Sequence, residues 1–280
     1  MTTITIGNVT LPSAPVAGNG FWFEKLKDWY TLPGSKVAAE SRPQAHGSFR
    51  IGQDWRQHAT PSVEGHYGGR TYADTLAAID TLMSLADGTP KTMTVADELR
   101  PTSREVSVRA ITIPDTQGRP VIDFAIDMLA PDPKRYGATV SASTGLPSAG
   151  TGITYPITYP LSYGTPGDPG RVAVSNGGTA NTFPMLEVAG GLDAGFSLVE
   201  LGTGREVRFE RVIPQGSTVF LNPRTGRAYI DAPANDVSGF LTRADWFVVP
   251  AGGSTSIQFA ALGGVSGTPI LTARTSPAFW

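Results

Sequence analysis

No cysteine occurs in the 280 residues, so disulfides, thiolate metal sites and cysteine nucleophiles are excluded, and stability must come from packing or from assembly. Charge is also scarce. Lys, Arg, Asp and Glu together make up 16% of the chain and leave a net charge of −2, without the clustered basic residues that duplex nucleic acid requires. No stretch approaches the roughly 20 apolar residues of a membrane span. The opening MTTITIGNVTLPSAP has neither a basic n-region nor an apolar h-region, so a soluble product without a cleaved signal is expected. The P-loop, the Rossmann fingerprint and GxSxG are all missing, which leaves NAD, ATP and serine-nucleophile chemistry unsupported.

Metal and acid chemistry have little to draw on. His46, His58 and His66 are the only histidines, and the last two are separated by Pro61 and Gly65 at a spacing that fits neither a helical metal pair nor a zinc pattern. Asp123 and Asp127 share the outer face of one expected strand, and Asp97 with Glu98 sits at an expected turn. A solvated face explains the first pair and turn chemistry the second. The chain is read as a non-enzyme with no catalytic residue, no cofactor and no metal.

Turn formers are abundant: Gly 33 and Pro 23, beside 40% hydrophobic residues. That mixture suits short strands joined by many turns, hence a mainly β fold. The length suits two domains.

TTITIGNVTL alternates Thr with Ile and Val before a Gly-Asn turn, an opening hairpin. Phe21, Trp22, Phe23, Trp29 and Tyr30 form an aromatic cluster around Lys25 and Lys27 and are expected to pack in the core. QDWRQHATPSVEGHYGGR reads as a long loop or irregular strand pair. The one helix spans Tyr72–Ala86: Leu76, Ile79, Leu82, Met83 and Leu85 recur at helical spacing, Thr71 with Asp74 resembles a capping box, and Gly88 and Pro90 stop it.

Strands follow at KTMTVADE, REVSVRAITIP and GRPVIDFAIDMLA. In the last, Ile122, Phe124, Ile126 and Met128 face inward and Asp123, Ala125 and Asp127 outward. Pro131 and Pro133 then end the ladder, so PDPKRYG is a strand stop and a domain hinge. The division expected is 1–133 for an N-terminal β domain and 134–280 for a C-terminal one, with a loose connector at 138–170. Within that connector Tyr155, Tyr159 and Tyr163 could pack or could form a sugar platform, since each ring offers an apolar face and a polar tip. From NTFPMLEVAGG onward, FSLVEL, REVRFERV, STVFLN, RAYID, WFVVP and SIQFAA read as regularly spaced strands of a sandwich or jelly roll, with LNPRTGRAYI as a hairpin.

The order of these features resembles the distal tail protein family of siphophages. It is carried by Asp132-Pro133 with Arg135-Tyr136, by the connector TYPITYPLSYG, and by the late hairpin followed by Trp246-Phe247 and a Pro-Ala-Gly-Gly turn into STSIQF. The resemblance implies a β-barrel-like N-terminal domain with one α-helix and a C-terminal galectin-like β-sandwich. It implies a homo-hexameric ring in the virion, at the distal end of the tail, made in the host cytoplasm. One face would meet the tail tube protein and the other the tail-tip hub protein, with the tape-measure protein in the lumen and DNA passing through without specific binding. No membrane partner is implied. The alternative is a carbohydrate-binding β-sandwich protein that recognises a host glycan.

Overall fold

Thr3–Ile6 (β1) and Val9–Pro12 (β2) form the opening hairpin, with Ile4, Ile6, Val9 and Leu11 turned inward. In this computed structural model, which describes residues 1–15, 18–49, 52, 54–114, 118–150 and 166–280, the hairpin belongs to the first of two units. That unit is Met1–Gly137 together with Phe279–Trp280, and the second is Ala138–Ala278. The first unit extends past the expected limit at residue 133 because Arg135–Tyr136 pairs with one of its strands.

Further strands of the first unit are Gly20–Lys27 (β3), Ser62–Gly68 (β4), Lys91–Ala96 (β5), Pro101–Thr112 (β6), Val121–Leu129 (β7) and Arg135–Tyr136 (β8). Their order is β2-β1-β5-β6-β7-β4-β3, antiparallel throughout. The two end strands, β2 and β3, come to lie beside each other, so the sheet curls round in a barrel-like way. A bulge at Val108/Ala110 bends the long β6 and lets it serve both halves of the curl. Strand β7 turns Ile122, Phe124, Ile126 and Met128 inward, as its alternation requires.

Ser62–Gly68 is a regular central strand, not the loop or irregular pair expected, with Val63, Gly65 and Tyr67 buried. Its composition hides it: two glycines and a histidine break the apolar alternation. Gly65 is required there because a Cβ would stand 2.5 Å from the Trp22 carbonyl oxygen and 2.8 Å from the Phe124 ring. Neither the backbone of the paired strand nor a core ring can retreat cheaply. Gly65→Ala is expected to lower the stability of this unit by roughly 1–3 kcal/mol, read as a shift in urea midpoint at unchanged slope. An unchanged midpoint would mean the two strands separate freely.

The helix runs Tyr72–Met83 (α1) and tightens into one 3₁₀ turn at Ser84–Ala86. Its capping box is present: the Asp74 amide donates to Thr71 Oγ1 at 3.3 Å and the Thr71 amide donates to Asp74 Oδ2 at 2.9 Å. The buried stripe is Thr75, Ala78, Leu82 and Leu85. Leu76 and Met83, expected to be buried, are each 45% exposed, because they lie one position off that i, i+3, i+7, i+10 stripe. The aromatic cluster also divides. Trp29 is fully buried, Phe21 and Phe23 pack on the core, and Tyr30 stays exposed.

The second unit is a sandwich of two five-stranded antiparallel sheets. Its strands are Val140–Gly145 (β9), Arg171–Ser175 (β10), Met185–Ala189 (β11), Phe196–Glu200 (β12), Glu206–Phe209 (β13), Thr218–Asn222 (β14), Arg227–Ile230 (β15), Leu241–Ala244 (β16), Ser254–Ala261 (β17) and Ile270–Thr275 (β18). One sheet is ordered β10-β17-β12-β13-β16 and the other β15-β14-β11-β18-β9. Part of the expected loose connector is therefore strand β9, an edge strand paired along β18. Its Ser, Thr and Gly composition suits an edge that buries little. WFVVP forms no strand; Val249 makes a single bridge to Thr182. The LNPRTGRAYI hairpin joins β14 to β15, with Gly226 at φ +69. Finally, Ala278–Phe279 (β19) pairs with β8.

Candidate functional site

With its ladder stopped by Pro131 and Pro133, the chain after β7 is held by the Asp132 carboxylate. Oδ1 accepts the Lys134 amide at 3.0 Å and Oδ2 accepts the Tyr136 hydroxyl at 2.6 Å. The segment is thereby turned so that Tyr136 pairs with Ser103 of β6, whose hydroxyl donates to the Tyr136 carbonyl at 3.3 Å.

The returning end of the chain is fixed on this strand. Phe279 is 4% exposed, and the Arg100 guanidinium sits 3.8 Å from its ring centroid. The Lys134 ammonium lies 5.6 Å from the Trp280 ring, and Arg135 Nη2 donates to the Trp280 main-chain oxygen. These are cation–π and charge-assisted contacts of the kind that gain strength as water is excluded.

Arg135 also lies over the Tyr30 ring at 4.8 Å, and the Tyr30 hydroxyl donates to Asp97 Oδ2 at 3.0 Å. Asp97 Oδ1 in turn accepts the amides of Leu99 and Arg100. The Arg100 amide, foremost, holds the Asp97 carboxyl below its ordinary range. Burial raises the Tyr30 phenol and lowers the Arg135 guanidinium. Arg104 lies deeper, 4.9 Å from the Trp29 ring, and its pKa is pushed down to about 10 by burial, with Arg135 adding to the effect and Asp132 opposing it.

Asp132, Pro133, Arg135 and Tyr136 thus come together, whereas Trp246 and Phe247 are elsewhere, in the second unit. Phe247 is a core residue; Trp246 packs beside that core, and its carbonyl accepts Arg205 Nη1 at 3.1 Å. Tyr155, Tyr159 and Tyr163 fall outside the described residues. Arg100 and Arg104 were not singled out from the sequence, and Trp29, Tyr30 and Asp97 were read there only as core aromatics and a turn acid. The one available signal was the alternation of β6, which turns Arg104 inward with Thr102 and Val106.

A second cluster occupies the outer face of β3, β4 and β7. His66 Nδ1 is 2.6 Å from Asp123 Oδ1 and Nε2 is 3.3 Å from Glu24 Oε2, beside an open cavity of about 210 Å³ that Glu64 and Phe124 also line. Glu64 is held below the usual carboxylate range by hydrogen bonds from Lys27 and then Lys25. Among the described residues, no group of three or more His, Cys, Asp or Glu side chains could hold a metal ion. In the second unit, burial alone would raise the Glu200 carboxyl, but the Thr203 hydroxyl and the Gly202 and Thr203 amides outweigh it and keep the group ionised, tying the β12–β13 turn. These contacts hold backbone in place; they are structural chemistry.

No family model matches the sequence, and no curated protein matches it. Solved structures do match. The Dit protein of phage SPP1, described as a paradigm of the hub adsorption apparatus in phages infecting Gram-positive bacteria, aligns at 13% identity over 100% of both chains with a TM-score of 0.66. Chains of the phage P2 baseplate in its activated conformation, with Ca and with Sr, align at 10% identity over 98% of both chains, with TM-scores of 0.54 and 0.55.

Proposed function

We propose that this chain, which carries the distal tail protein fold along its whole length, is a structural hub at the distal end of a phage tail. The observation that carries the reading is that both β units, in one chain, align end to end with a tail hub protein. Six copies of the first unit close a ring. One face of the ring meets the tail tube protein and the other the tail-tip hub protein. The tape-measure protein, and then DNA, pass through the lumen without specific binding. The second unit is the galectin-like sandwich. The protein is made in the bacterial cytoplasm and acts in the virion; its work is assembly, not catalysis.

The surface of the first unit supports this reading. Leu32, Val37, Phe49 and Trp55 of the segment between β3 and β4 are 38–60% exposed, and Tyr72, Leu76 and Met83 form an apolar stripe on α1. An exposed apolar stripe such as that on α1 marks a surface that another protein covers. Repeated heterologous contacts between copies would bury them and close a ring.

Native mass, with negative-stain images of the same fraction, tests the reading. The expected species is six copies of 29.5 kDa, about 177 kDa. The double substitution Leu76→Glu, Met83→Glu should shift that species to monomer with little change in unfolding temperature, since both positions are exposed. A monomer at every concentration that is retained on glycan columns would overturn the hub reading in favour of the carbohydrate-binding one.

A further inference from the structure

Arg104 stands on the inward face of β6, opposite Met93 of β5, and is 2% exposed. Its Nε, Nη1 and Nη2 are all buried, and none makes a hydrogen bond. The same holds for three neighbouring atoms: Trp29 Nε1, Thr102 Oγ1 and Arg135 Nε. Thr102 is two residues away on the same strand face, about 7 Å along the backbone, and Trp29 is the residue under the guanidinium.

This set is almost entirely donors. A guanidinium offers five N–H groups and an indole one, and neither can accept; only the Thr102 hydroxyl can do both. Burying such groups without an acceptor is costly, and burying the charge more so. The charges acting on these groups add to the cost: Arg104 and Arg135 repel each other, and Arg100 adds to the repulsion on Arg135, against Asp132 and Asp97. Asp132 already accepts from Tyr136 and Lys134, and none of the Arg104 nitrogens bonds to it.

We propose that Trp29, Thr102, Arg104 and the Nε edge of Arg135 form an internal binding site for one small inorganic monoanion of the halide class, chloride being the common member. A water molecule would bring two hydrogens of its own to a set of groups of which only the Thr102 hydroxyl can accept. A halide accepts from every side and cancels the surplus charge. The site lies beneath the strand made by Arg135 and Tyr136, so its occupant ties the turn at Asp132 to β6.

The test uses the full chain at fixed ionic strength, exchanging sodium gluconate for chloride or bromide. The unfolding temperature of the first unit should rise by about 4 °C at ten times the dissociation constant and then with the logarithm of halide concentration, and Arg104→Met should abolish the dependence without lowering stability in gluconate. Should that variant fail to fold, bromide anomalous scattering from crystals of the unaltered protein decides the matter. The expected result is a peak within about 3.5 Å of the Arg104 nitrogens. The proposal is overturned by the absence of such a peak, by an unfolding temperature indifferent to halide, or by a response to phosphate or sulfate alone.

Discussion

Phe279→Ala should destabilise the first unit by about 3–5 kcal/mol, although 142 positions separate Gly137, where the chain leaves that unit, from the substituted residue. The loss has two sources. A side chain 96% buried is removed from its packing, and the Arg100 guanidinium, 3.8 Å from the ring centroid, loses the aromatic face it covers, a contact worth about 0.5–2 kcal/mol where water is excluded. Hydrogen exchange locates the effect. Amides of β6 and β8 should lose protection, while those of β12 and β17 in the second unit keep theirs. If protection in β6 and β8 were unchanged, the last residues would contribute nothing to the first unit and the contacts around Arg135 would be incidental.

Phe196→Ala should cost the second unit a similar amount, about 3–5 kcal/mol. Phe196 is fully buried in β12, a central strand of its sheet. It stacks on Phe209 at 5.4 Å between centroids with an interplanar angle of 22°, and meets Phe259 edge-on at 6.4 Å. Removing it leaves a cavity bounded on two sides by rings that are held by strand pairing and cannot collapse inward. Phe196→Leu, which keeps most of the volume, should lose only about 1–2 kcal/mol. Equal losses for the two variants, measured as urea midpoints, would show that the trio contributes ring geometry and not filled volume.

What could be read from the chain beforehand followed from local rules. Thr71 and Asp74 announce their capping box in four residues, β7 announces its faces by strict alternation, and Pro131 and Pro133 announce the end of a ladder. Each signal is complete within about ten positions. Strand β4 was illegible because its inward residues include a glycine, which carries no hydropathy and is chosen for the space beside Trp22 and Phe124. Strand β9 was illegible because an edge strand can be built from Ser and Thr. On α1, five apolar residues fit a helical period, yet only a one-position offset separates the buried Leu82 from the exposed Met83, and no local rule decides between them.

The cluster around Asp132 was half legible. Its own segment drew attention through two prolines, an acid and a basic pair. Its partners come from far along the sequence: Trp29 and Tyr30 after β3, Asp97 and Arg100 in the turn before β6, Phe279 and Trp280 at the end. Only the pairing of β8 with β6 and of β19 with β8 brings them to one place, and pairing partners are a property of the whole topology.

That topology fixes an order of events during synthesis. The first unit lacks its last strand residues until the ribosome has made the whole of the second, and at about 5–20 residues per second the 142 positions from Gly137 to Phe279 take roughly 7–28 s. Throughout that interval the seat of Phe279 stands open, and the Arg100 guanidinium lacks the ring it covers in the finished unit. A chain cut anywhere between Gly137 and Phe279 therefore loses a strand of its first unit, however far its second unit has been built.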